Sequence, residues 1–141
     1  KVVGKIPAAQ AEQVVPEVAA VVDGWLDAAY VAGEYPRDDF ADAFPGFTKG
    51  AAAEAAKDEA LMTNADIGAD IEGVTATARN VKVDVLGVKG KPVGATARVR
   101  LVFTTDAEPE QKYVVNGRLR LTPAGGGWQV FAYDVAKGAK P

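Results

Sequence analysis

Arg98, Arg100, Arg118 and Arg120 are the residues whose spacing most directly implies chemistry. Each pair is separated by one residue. In an extended strand both guanidiniums of a pair therefore leave one face, while Ala97, Val99, Leu101 and Phe103, or Leu119 and Leu121, leave the other. A hairpin centred on Pro109 places Arg98 opposite Arg120 and Arg100 opposite Arg118, with Lys82 on the same face from the strand before. Like charges directly opposite one another repel, so the cluster needs carboxylates, aromatic faces or a bound anion nearby. Two readings follow. The arginines form a solvated face balanced by Asp84 and by stacking on Phe131 or Tyr133, or they contact an acidic partner such as the acidic half of a second copy.

A second constellation joins Trp25, Tyr30, Trp128, Tyr133 and Asp134, which line a pocket between helices and sheet or simply fill the core. The carboxylates Asp38, Asp39, Asp42, Asp66, Asp70 and Glu72 do not fit the calcium-loop pattern and read as caps and loop acids. Gly125 to Gly127 lacks the Lys-Ser/Thr of a phosphate loop and leads into a strand, so it is hairpin chemistry. The chain contains no His, Cys or Ser. Disulfides, thiolate metal sites, the commonest general base and the usual nucleophiles are thereby excluded, and no metal, cofactor or hydrolase activity is expected. Isomerase or dehydratase chemistry through Asp and Tyr stays open, so enzymatic activity is undecided and the balance is against it.

These residues need elements to hold them. The chain has 141 residues, 48% hydrophobic and 25% charged, with a net charge of −3, the proportions of one soluble domain. Val14, Val18, Val21, Val22, Trp25, Leu26 and Ala29 recur at three and four, which predicts a long helix from Ala9 to Val31, with Pro16 as a kink or first-turn residue and Gly33 as its stop. A short helix is expected around Asp38 to Phe44 and a third from Lys49 to Met62, capped by Thr48. After Gly73 the period changes to two, predicting four strands joined by short turns and a Lys-rich tail that frays. The fold class is α+β: three N-terminal helices on one face of a curved four-stranded antiparallel meander. Residues 1–9 are an N-terminal extension, 10–136 the domain and 137–141 the tail. Residues 1–72 carry five bases and 14 acids, a net of −9, whereas residues 73–141 carry 11 bases and five acids, a net of +6. Such polarity bears on partners, and acidic helices with a negative total charge argue against nucleic acid.

The helix order and the closing run Gly126-Gly127-Trp128-Gln129-Val130-Phe131-Ala132-Tyr133-Asp134-Val135 resemble the cone-shaped nuclear transport factor 2-like superfamily. The closest look is to mammalian-cell-entry-associated membrane proteins and periplasmic core subunits of type IV secretion systems. The resemblance implies a non-catalytic interaction or scaffold domain, self-associating or bound to a protein partner. It would belong to an extracytoplasmic assembly anchored by a segment outside this chain, a placement favoured over the cytoplasm. Enzymes on this fold work through Asp, His and Tyr inside the cone, and no catalytic residue is carried over to this chain. The alternative it leaves is a small-molecule binding or isomerase/dehydratase-like domain with a pocket inside the cone.

Overall fold

The computed structural model describes residues 2–140; Lys1 and Pro141, the last residue of the expected tail, lie outside them. Strand β1 (Val2–Gly4) is followed by helix α1 (Ala8–Leu26), which passes without interruption into one π-helical turn, Asp27–Val31. Helices α2 (Lys49–Lys57) and α3 (Glu59–Met62) precede strands β2 (Gly73–Val88), β3 (Lys91–Asp106), β4 (Lys112–Ala124) and β5 (Gly127–Lys140). The architecture is α+β, with strand order β1-β2-β3-β4-β5. The four antiparallel strands pair as a meander, and β1 adds a fifth strand in parallel to β2, with Val3 beside Leu86. The expected four-stranded antiparallel sheet is therefore a five-stranded mixed one. Three residues are too few to show a period, so β1 left no alternation to read.

Helix α1 lays Val14, Val18, Val22, Trp25 and Leu26 into the core, the stripe that its spacing predicts. Pro7 stands at its N-cap position and Pro16 falls inside it, on the exposed side, so Pro16 is not a first-turn residue. Thr48 caps α2 as expected, its Oγ1 accepting from Ala51 N at 3.1 Å. The expected Lys49–Met62 helix breaks at Asp58 into α2 and α3.

No helix forms over residues 38–44, so the three-helix layer is not what covers the sheet. Asp39 Oδ1 accepts from Ala41 N at 2.9 Å, a local turn that competes with helix formation. Phe40, Ala43 and Phe47 are buried from an irregular segment. That segment is tied to the sheet through Thr48 N donating to Val130 O at 2.8 Å and Val130 N donating to Gly46 O at 2.9 Å. Their spacing of three and four came from reaching one core, not from a helix.

Val18, Val22, Trp25 and Leu26 of the helix stripe, Leu101, Leu119 and Leu121 of the strands, and Trp128 are all buried. Arg79 leaves β2 on the helix side and clasps α1, with Asp23 at 3.0 Å and Asp27 at 2.7 Å.

Candidate functional site

Alternation along β2, β3 and β4 sends the apolar set inward and delivers Lys82, Arg98, Arg100, Arg118 and Arg120 to the outer face, where all five are exposed. The register differs from the expected one by two residues. Arg98 lies opposite Arg118, Arg100 opposite Asn116, and Arg120 opposite Thr96. The hairpin is centred on Glu108 and not on Pro109, because Thr104 pairs with Lys112, and Thr105 and Gln111 bond to each other just beyond that pair. Lys82, Arg98, Arg118 and Asp134 thus form one row across β2 to β5. Next to it run Asp84, Thr96, Arg120 and Ala132 on one side and Asn80, Arg100, Asn116 and Ala136 on the other.

Three cations side by side repel, and acids stand at both ends of the group. Arg98 approaches Asp84 at 3.3 Å, and Asp134 is the cross-strand neighbour of Arg118. Arg100, Arg118 and Arg120 have no ion-pair partner among the described residues. A shallow depression lies over Asn80, Lys82, Arg98 and Arg100. Arg120 also reaches a groove of about 390 Å³ whose other walls include Val3, Asp84, Leu86, Val93 and Phe131.

The second constellation divides. Trp25 and Tyr30 meet edge to face at 5.4 Å, and Tyr30 packs on Phe103, which stacks on Tyr113 at 5.4 Å. Trp25 Nε1 donates to Met62 O at 3.1 Å and the Tyr30 hydroxyl to Leu61 O at 2.7 Å, so both polar tips are satisfied by the end of α3. Trp128 is buried, Tyr133 is half-buried and donates to Asp58 Oδ2 at 2.7 Å, and Asp134 faces outward beside Arg118. The structure brings Trp25 and Tyr30 together and sends Asp134 to the opposite face of the sheet.

Among the known proteins compared, no family model, curated protein or solved structure matches this chain.

One interior residue escaped the sequence reading. The tail expected to fray continues as β5, and the Lys137 side chain is only 2% exposed. Its ammonium donates to Ala60 O at 3.2 Å, to Thr63 O at 2.9 Å and to Asp66 Oδ1, between the rings of Tyr30 and Tyr113 at 6.0 and 5.8 Å. Burial pulls its pKa below the usual lysine value, against the opposing pull of Asp66. Burial, with the Asp66 charge second, pushes the Tyr30 hydroxyl well above the ordinary tyrosine value. All three ammonium protons have acceptors, so Lys137 pins β5 to α3 and is not offered to a substrate. The signal was present: Tyr133, Val135 and Lys137 alternate in phase with the inward Leu119, Gly117 and Val115 of β4.

Proposed function

We propose that this domain is a non-catalytic interaction module, of the nuclear transport factor 2-like kind, whose outer sheet face binds an acidic protein surface within an extracytoplasmic, membrane-associated assembly. The observation that carries the reading is the placement of Arg100, Arg118 and Arg120 on one exposed face without ion-pair partners among the described residues. Interior chemistry supports it from the other side. The rings of Trp25, Tyr30, Phe103 and Tyr113 contact one another in series, and the Lys137 ammonium beside them is spent on carbonyls and Asp66. Guanidiniums held in rows suit carboxylates, which accept bidentate bonds from them.

A fluorescein-labelled Glu-rich peptide tests the reading by anisotropy. Binding is expected at low ionic strength, weakening at least about tenfold in the double variant Arg100→Glu with Arg118→Glu, since exposed complementary charges govern encounter and are screened by salt. Equal binding by the wild type and the reversed variant, or no binding by either, would show that the face is simply solvated.

A further inference from the structure

The exposed large apolar side chains are not scattered. Val2, Val3, Leu86, Val88, Val93 and Phe131 are 43% to 49% accessible and gather around the end of the sheet where β1 joins the β2–β3 hairpin. Contiguous exposed apolar surface marks a contact site. Val3, Leu86, Val93 and Phe131 share the groove of about 390 Å³. Val88 and Lys91 close the hairpin over Lys89 and Gly90, and Gly90 N donates to Lys5 O at 3.1 Å, which binds the N-terminal strand to the hairpin tip.

Apart from Asp84, charge around this end has one sign. Lys5, Lys89 and Lys91 are exposed, and residues 1–11 and 85–105 contain no acid at all. Asp84, which borders the groove, is engaged by Arg98. Of the arginines only Arg120 borders the groove; Arg100 lies nine residues beyond Lys91 in β3. That is about 30 Å along the strand, several Debye lengths at physiological salt.

The geometry points to this end of the sheet as a docking site for an anionic lipid surface. The aliphatic side chains enter the boundary between headgroups and acyl chains while Lys5, Lys89 and Lys91 meet the phosphates. Charge decides the occupant. An identical end of a second copy would set lysines against lysines, and a neutral apolar partner would leave them without counter-charge. The site borders the protein contact proposed above at Arg120 and stands without it.

Co-sedimentation with vesicles of phosphatidylcholine and phosphatidylglycerol, compared with phosphatidylcholine alone, tests this. Binding to the mixed vesicles is expected, at least about tenfold stronger than to the neutral ones, since each lysine near an anionic surface contributes several-fold. Leu86→Glu with Val93→Glu should weaken it at least about tenfold, and Lys89→Ala with Lys91→Ala similarly. All four sites are exposed, so the thermal midpoint should stay in place for both variants. Arg100→Gln with Arg118→Gln should leave vesicle binding within about threefold of the wild type. Absence of binding to the mixed vesicles, or equal binding to both kinds, would overturn the inference. So would tip variants that dissociate a soluble oligomer in the absence of lipid, which would make this end a protein interface.

Discussion

Lys137 shows how one cation can belong to the architecture instead of to a site. The carbonyls of Ala60 and Thr63 lie at the end of α3, where intrahelical donors run out, and the ammonium supplies what the backbone lacks. Lys137→Met leaves both without a donor, and the expected cost is about 1 to 3 kcal/mol in urea unfolding. Asp66 is partly exposed and stays solvated in that variant, so no buried charge is stranded. A cost below about 0.5 kcal/mol would show that solvent replaces the lysine. The tyrosines set the alkaline limit. Burial, first, raises the pKa of both Tyr30 and Tyr133, with Asp66 adding to it for Tyr30 and the hydrogen bond to Asp58 for Tyr133. Groups whose pKa is higher in the folded state lend stability that is complete below their unfolded value near 10. They lose it as pH rises toward the folded value. Lys137, lowered by burial, acts in the opposite sense below its own unfolded value, where the unfolded chain holds the extra proton. Urea unfolding between pH 8 and 11.5 should therefore show stability falling above about pH 10, less steeply in Tyr30→Phe. A slope unchanged by that substitution would refute the assignment to Tyr30.

Elements were legible to different depths. Long periodic stretches such as α1 and β2 to β5 announced themselves, and so did the inward and outward sets of β3, because each strand has a buried face that a one-residue slip would turn out. Register was not legible, since it is set by where the Asp106–Lys112 loop closes and not by the alternation itself. A strand as short as β1 shows no period, and residues 38–44 have an apolar spacing that mimics a helix while the Asx turn at Asp39 competes with one. Of the candidate site, the sharing of one face by the arginines could be read, but their neighbours could not. Gly117 gives the element scale a test. It sits in β4 with φ +149°, and a Cβ there would lie 2.1 Å from Asp134 O and 2.7 Å from Val135 Cα. Both atoms are backbone of β5, so no rotamer change relieves the clash. Gly117→Ala should push β4 and β5 apart and destabilise by about 2 to 4 kcal/mol, the range of backbone strain combined with broken ladder bonds. A thermal midpoint within about 2 °C of the wild type would mean that the two strands yield at little cost.

At the scale of the whole molecule, charge is sorted by layer. The helical half carries a net of −9 and the half that supplies β2 to β5 a net of +6, so opposite signs occupy different sides of one domain. Two outer faces brought together would oppose arginine to arginine, whereas an outer face against the helical layer of another copy sets opposite signs together. Self-association driven by this polarity is therefore heterologous, and its closure into rings or growth into chains depends on the rotation between copies. Glu12 and Glu17 on the exposed side of α1 are available to such a neighbour, unlike Asp23 and Asp27, which Arg79 holds. Sedimentation equilibrium should find mass-dependent association at about 10 mM salt that is lost by about 150 mM, as the Debye length falls from about 30 to 8 Å. Arg100→Glu with Arg118→Glu should abolish it at low salt while moving the unfolding free energy by no more than about 0.5 kcal/mol per site, because both side chains are exposed. Glu12→Lys with Glu17→Lys should abolish it equally, and mixing the two reversed variants should restore it, since each then supplies the charge the other lacks. A dimer indifferent to salt and to both reversals would place the interface on apolar surface, with the exposed groove of Val3, Leu86 and Val93 as the first place to cut.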